Sequence, residues 1–361
     1  MAPRNYILLL LSLLLLSCSP ISEENKKEED PKKDPLQTEI KAGTELTLAF
    51  YNLENLFDTE DHPQTDDQDF LPDGRYQWTS EKLDIKIANL AKVISQLGEG
   101  GPQILGVAEV ENREVLQQLA RHPLISQKNY QIVHEESPDT RGIDVGLLYD
   151  PDYLSIDAYQ ALTIEKKGDP YFRTRDILMA SGKVNGQELH IFVNHWPSRR
   201  EGQEASEPNR LAAAKELKSQ IDLLIDKNPD AGIIVMGDFN DNPTNKSLAG
   251  ILDAEASISN LEEDQLFNPM AGIFDPSSMG SLTYQGQWDL FDQILLSEDL
   301  IDGEHALSYL PNSVKVFNEE LVRVPNRQTR FVPRRAIFRG EFQDNGFSDH
   351  FPVYIKLNVN P

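Results

Sequence analysis

Short apolar runs alternate along this chain with stretches whose apolar positions recur every three or four residues. The runs Leu46–Tyr51, Ile104–Ala108, Val145–Tyr149, Leu189–Asn194, Ile233–Met236, Gln293–Leu296 and Pro352–Leu357 predict strands. After Thr79-Ser80, the residues Leu83, Ile87, Leu90, Ile94 and Leu97 share one helical face, and further helices are predicted over about Glu111–Arg121 and Pro208–Asp226. No internal repeat is visible. Polar residues sit where the predicted strands stop: Asn52, Glu109, His195, Asp238 with Asn240, Asp292, and Asp349 with His350. Two packed sheets with helices outside would gather those ends at one rim. The expected fold is therefore a one-domain α/β sandwich.

Composition changes the picture first at the N-terminus. Arg4 precedes an apolar run, Ile7–Leu16, that is too short to span a bilayer and fits a signal-peptide core. Ser17 directly before Cys18 resembles a bacterial lipobox, which would make Cys18 the lipidated first residue of the mature chain; a plain cleaved signal is the alternative. Cys18 is the only cysteine, so an exported fold here has no intramolecular disulfide. Residues 19–43 are rich in Glu, Lys, Asp and Pro without apolar periodicity and read as a disordered tether to a catalytic domain over 44–361. The expectation is an exported monomer, lipid-anchored to a bacterial (outer) membrane, periplasmic or cell-surface, touching the membrane only through its lipid. The net charge of −25 argues against a nucleic-acid coat protein, which needs clustered Lys and Arg. A hydrolase with a locally basic rim remains compatible.

The candidate chemistry centres on Ile233-Ile234-Val235-Met236-Gly237-Asp238-Phe239-Asn240-Asp241-Asn242-Pro243. A buried strand ends at Gly237, which allows close backbone approach, and on an extended backbone Asp238 and Asn240 would point the same way. A carboxylate can hold a hard cation or take a proton from water; an amide can donate to a developing oxyanion. Asn52 and Glu54 repeat the two-apart pattern after the first strand. Glu109 closes the run Ile104–Ala108 and would be costly to bury without a cation or an arginine. Glu111 fits the start of the next helix, where acids favour the positive end. His195 stands where a strand stops, in Asn194-His195-Trp196-Pro197. Asp349-His350 does so in Ser348-Asp349-His350-Phe351-Pro352, and Asp292 is available to orient an imidazole and raise its pKa.

The ordered set N-x-E, E, H-W-P, G-D-F-N, F-D-x-I-L and S-D-H-x-P-V resembles the endonuclease/exonuclease/phosphatase superfamily over nearly all of residues 44–361. The resemblance implies a DNase I-like, four-layered α/β sandwich with two mixed sheets flanked by helices. It also implies that Asn52 and Glu109 form the main divalent-metal site, with Glu54 and Asp349 as further contacts. Asp238 and Asn240 would position or activate water and hold the phosphate, and Asp292 would orient His350 at the scissile phosphate. His195 matches the second histidine of general deoxyribonucleases and lipid-cleaving relatives, where abasic-site endonucleases carry tyrosine. Glu54 is one methylene longer than the aspartate of some branches, and the P-x-W-C-D-R pattern of inositol 5-phosphatases is absent around Asp292. The implied cofactor is Mg2+ or Mn2+, whose charge would neutralise the phosphate.

Three features bear on substrate. Arg141 could touch phosphate while Asp144 orients His195, and Arg175 matches a backbone-contacting arginine of general deoxyribonucleases. Leu321–Gly340 holds Arg323, Arg327, Arg330, Arg334, Arg335 and Arg339 with no acid and reads as a phosphate-binding rim, with Arg327, Arg330 and Arg334 as the contacts. Asp58–Asp69 holds six acids and reads as a solvated loop, or as a Ca2+ site. The expected activity is a metal-dependent phosphodiester hydrolase, a nuclease acting on DNA or RNA. The alternatives are a phosphomonoesterase, a sphingomyelinase-like phosphodiesterase using Trp196, Phe172 and Tyr171 at a lipid surface, or a catalytically silent binding protein.

Overall fold

In the computed structural model, residues 39–262 and 264–361 are described. Cys18, the signal segment and most of the predicted tether lie outside them. The chain runs β1 (Glu45–Leu56), α1 (Ser80–Ile94), β2 (Ile104–Val110), α2 (Arg113–Ala120), β3 (Gln131–His134), β4 (Asp144–Tyr149), β5 (Ser155–Leu162) and β6 (Ile177–Val184). It continues through β7 (Gln187–His195), α3 (Gln203–Lys227), β8 (Gly232–Asp238), β9 (Ala254–Glu255), β10 (Leu266–Phe267), β11 (Leu282–Tyr284), β12 (Gln287–Asp289) and β13 (Asp292–Ser297). The last elements are β14 (Leu307–Tyr309), β15 (Lys315–Val316), β16 (Arg323–Asn326), β17 (Arg330–Pro333), β18 (Ile337–Phe338), β19 (Glu341–Phe342) and β20 (Val353–Val359).

Among the described residues fourteen of these strands form two seven-stranded mixed sheets, and β11–β12, β16–β17 and β18–β19 pair as separate hairpins. One is ordered β14-β20-β1-β2-β4-β3, with β15 also on β20; the other is β5-β6-β7-β8-β13-β10-β9. β1 and β2 of the first sheet face β7, β8 and β13 of the second across a shared apolar core. α1 and α2 cover the outer face of the first sheet. On the second, Phe192, Ile233, Val235 and Leu295 pack against Ala213, Leu217 and Ile221 of α3. Both sheets are thus buried on two faces, which is why their central strands read as unbroken apolar runs. The α/β sandwich is the observed architecture.

Four local expectations change. α2 begins at Arg113, because Asn112 accepts the Val115 N–H as its N-cap; Glu111 lies before the helix and is buried. α3 begins at Gln203, five residues before Pro208, its first turn bound by Arg210, which donates to the Gln203 carbonyl and Ser206 Oγ. The chain is fixed before Thr44: Ile40 is buried and exchanges two hydrogen bonds with the Asn185 amide. Asp58 and Asp67 in the acidic loop accept backbone N–H groups from Glu60 and His62. Among the described residues no helix is long and apolar enough to cross a membrane.

Candidate active site

The register of the second sheet builds one row of the site. His195 at the end of β7 is paired with Asp238 at the end of β8, and Asp238 with Asp292 at the start of β13. Three adjacent strands therefore present His, Asp and Asp side by side. Gly237 makes the approach possible, because a Cβ there would sit 2.4 Å from the Asn194 carbonyl oxygen. The first sheet supplies Asn52 from β1 and Glu109 from β2, and the segment before β20 supplies Ser348, Asp349 and His350. Ser348 Oγ donates to the Asn52 carbonyl at 2.7 Å and accepts the His350 N–H, which fixes that segment beside β1.

Asp238 Oδ2 is the hub. It accepts Asn52 Nδ2 at 3.0 Å and lies 3.7 Å from His195 Nε2 and 3.9 Å from His350 Nε2. Glu109 Oε1 is 3.9 Å from the same His195 nitrogen. Glu109, Asp238 and His350, drawn from both sheets, thus converge. His350 Nδ1 and Asp292 Oδ2 are 2.6 Å apart. Burial works against the His350 cation, but the Asp292 and Asp238 carboxylates outweigh it and hold the group well above the usual histidine range. Burial drives His195 the other way, well below that range, helped by the positive charges of Arg175, Arg141 and His350. Burial also pushes the Asp238 carboxyl up to about 7, with His350 opposing and Asp292 adding to the shift. The site holds one imidazolium, one neutral imidazole and a carboxyl that ionises near neutrality.

The residues assigned to metal fit a hard cation in part. Asn52, Glu109 and Asp349 offer amide and carboxylate oxygens, the donor chemistry that Mg2+ and Mn2+ take. Glu109 Oε2 accepts the Asn55 N–H, leaving Oε1 facing His195. Glu54 departs from expectation. The strand alternation breaks at Glu54 and Asn55, both at positive φ, and the Glu54 carboxylate accepts the N–H groups of Ala336 (2.6 Å) and Ile337 (3.1 Å). Those two bonds hold the chain at Ala336; burial and the Asp349 charge push the Glu54 carboxyl up to about 8, with Lys86 and the two N–H groups opposing.

Other assignments shift likewise. Arg175 is buried and each of its three nitrogens donates inside the fold: Nε to the His195 carbonyl, Nη2 to the Trp196 carbonyl, Nη1 to Asp139 Oδ2. It positions the His195 strand end rather than meeting phosphate. Asp144 pairs with His134 at 3.2 Å, not with His195, whose Nδ1 is buried without a hydrogen bond. Arg141 keeps a partly exposed guanidinium 3.4 Å from Asp139 and close enough to His195 to bias its charge. Asn240 does not continue the strand. It adopts positive φ, its N–H donates to Asp238 Oδ1, and its Nδ2 donates to the Trp196 carbonyl.

Arg327 and Arg330 are exposed on the β16–β17 hairpin and Arg334 is half-buried just after it. The Phe331 ring seats that hairpin on Trp288 (5.4 Å) and on Phe351 (6.2 Å), the residue after His350. Two further residues have no counterpart in the sequence reading. The Lys86 ammonium, fully buried on α1, donates to the Glu54 and Phe347 carbonyls. Arg199 donates to the Asn240 carbonyl and to Asp241, and stacks its guanidinium over Phe291. Arg199 stands two residues after the H-W-P motif, which was the available signal. Lys86 gave none, because a lysine on an amphipathic helix reads as solvated.

The model of the Endonuclease/Exonuclease/phosphatase family matches residues 47–359. The chain belongs to this family. As a family member it is a hydrolase of phosphoesters that works with a divalent metal. Among solved structures it is similar to a Bacteroides thetaiotaomicron mannosyl-6-phosphatase, at TM-score 0.53 and 16% identity, covering 86% of this chain and 99% of that one. It is similar to the human Nocturnin catalytic domain with bound sulfate, at TM-score 0.53 and 15% identity, covering 88% and 95%. It is also similar to D. rerio TDP2 complexed with a single-strand DNA product, at TM-score 0.52 and 13% identity, covering 88% and 100%. These likenesses show the fold. A search of curated protein sequences finds no match.

Proposed function

We propose that this family member is a Mg2+- or Mn2+-dependent nuclease that hydrolyses phosphodiesters of DNA or RNA. The observation that carries the reading is the acid-free, arginine-rich segment pinned to the site at two points: Glu54 holds Ala336 and Ile337, and Phe331 rests on Phe351. Arg327 and Arg330 have no ion-pair partner among the described residues. In a chain of net charge −25, such a rim beside the catalytic groups suits a polyanion whose scissile phosphate has charged neighbours. The TDP2 neighbour, solved with a DNA product, supports the same class of substrate.

In this reading Asn52, Glu109 and Asp349 hold the cation, which supplies neutralisation of phosphate charge when bound. Asp238 takes the proton of the attacking water, for which a carboxyl ionising near 7 is suited. The His350 imidazolium, oriented by Asp292, meets the charge that builds on the non-bridging oxygens, and donors of this kind contribute about 3–4 kcal/mol. Arg175 and Asn240 hold the His195 strand end in register. The lipid-surface alternative loses one of its aromatics, since Trp196 is fully buried against Phe239.

Plasmid nicking and product analysis on defined oligonucleotides, with Mg2+ or Mn2+ and with EDTA, test the reading. Metal-dependent cleavage that disappears in Glu109→Gln is expected. Turnover of a sugar phosphate monoester with no cleavage of nucleic acid would replace the reading with a phosphomonoesterase, the activity in the name of the Bacteroides neighbour. Export and lipid anchoring through Cys18 belong to the same proposal, and labelled palmitate incorporated into the wild type but not into Cys18→Ala would support them.

A further inference from the structure

Ligand-type side chains also cluster outside the catalytic row, where β3 turns back into β4. The two strands pair antiparallel with His134 opposite Gly146, and continuing that register by two residues sets Glu136 opposite Asp144. Side chains two apart on a strand, and directly across from one another, share a face. One donor atom from each of His134, Glu136 and Asp144 accordingly lies within 4.8 Å of the other two. Asp144 Oδ1 accepts the Ser137 N–H, which leaves Oδ2 facing His134 Nε2 at 3.2 Å. Neither of those facing atoms makes a hydrogen bond, although both are shut off from solvent in side chains only 1% and 3% exposed. The two atoms form a buried ion pair with no further hydrogen bond to either of them, an arrangement that burial makes costly.

A shared cation would offset that cost. With bonds of roughly 2.0–2.1 Å in a tetrahedral shell, two ligand atoms stand about 3.3 Å apart, close to the observed separation. The exposed Glu136 also lines a cavity of about 210 Å3 whose other walls include Asp58, Glu60, Asp61, Glu111 and Glu114, and no lysine or arginine. That cavity sets the Glu136 carboxylate in an acid-lined hollow, which attracts cations. An imidazole nitrogen with two carboxylates favours a transition metal over the all-oxygen chemistry at Asn52, Glu109 and Asp349.

We propose that His134, Glu136 and Asp144 bind a second divalent cation of the zinc class, separate from the catalytic metal, with its remaining position open to water. The site closes the base of the 135–143 loop. That loop carries Asp139, which holds Arg175 beneath the carbonyls of His195 and Trp196, so the bound cation braces the catalytic strand end without touching substrate.

The test uses the full chain with Glu109→Gln and Asp349→Asn, which disable the catalytic metal site, titrated with Zn2+ by calorimetry and with Co2+ by visible absorption. One equivalent of Zn2+ is expected, with cobalt bands of four-coordinate intensity. Adding Glu136→Gln, at an exposed position that leaves folding intact, should weaken binding by at least about tenfold, and adding His134→Asn should abolish the cobalt bands. Absence of zinc binding in the parent protein, or binding indifferent to Glu136→Gln and His134→Asn, would overturn the proposal and leave His134 and Asp144 as a plain ion pair.

Discussion

Two histidines face the same carboxylate oxygen of Asp238 in opposite charge states. His350 keeps its proton because Asp292 and Asp238 surround it; His195 loses its proton because burial and nearby arginines oppose it. Asp292→Asn removes the larger of the carboxylate effects on His350. It should lower kcat by about 10²–10⁴-fold. The alkaline limb of the pH–rate profile should also move to lower pH, because His350 then deprotonates earlier; an unmoved limb would show that Asp292 does not govern it. A stability effect follows at Glu111, whose carboxyl is pushed up to about 8 by burial, against the Asp58 N–H that favours its charge. Ionising it is harder in the folded chain than in the unfolded one. Its contribution is therefore fully present below the ordinary carboxyl range and is lost as pH rises toward 8. Glu111→Gln should flatten the decline of Tm over that window, as thermal scans from pH 5 to 9 would record. At this scale the motif residues were legible, since chemistry fixes their types. Glu54, Arg175 and Asp144 were not, because the sequence gives no sign of which backbone carbonyl, amide or imidazole each one meets.

Long central strands were readable as elements because burial on both faces leaves an uninterrupted apolar run. The edge strand β5 is largely exposed and needs no such pattern, and the hairpins β16–β17 and β18–β19 owe their placement to contacts with Trp288, Phe351 and Glu54. The arginines of that region were visible while their attachment was not. α1 acts at this scale too. Its Lys86 satisfies the carbonyls of Glu54 and Phe347, tying the end of β1 to the segment that leads into His350. Lys86→Met leaves both carbonyls buried without a donor, at about 1–3 kcal/mol each. Chemical denaturation should record that loss together with a fall in kcat; wild-type values for both would make Lys86 incidental. The triple variant Arg327→Ala, Arg330→Ala, Arg334→Ala should weaken nucleic-acid binding and flatten its dependence on salt, while a mononucleotide ester is cleaved as before.

For the whole molecule, the pairing of two sheets was not contained in strand periodicity, which specifies faces but not which faces meet. The polar residues at the strand ends pointed to two packed sheets, and the family resemblance made them a four-layered sandwich. The sheets pack tightly where β2 meets β8: a Cβ at Gly106 would stand 2.5 Å from Met236 Sδ. Gly106→Ala should cost about 1–3 kcal/mol by overpacking, and Met236→Val in the same chain should recover part of it. A double-mutant cycle by urea unfolding would measure that coupling.

β1 lies between β2 and β20, so the middle of the first sheet joins residues 45–50 to residues 353–358. A nascent polypeptide still lacking β20 has neither its central ladder nor a seat for His350. Hydrolytic power thus arrives all at once, only after β20 has been made, and a product terminated before it is inert however much of the fold it already carries.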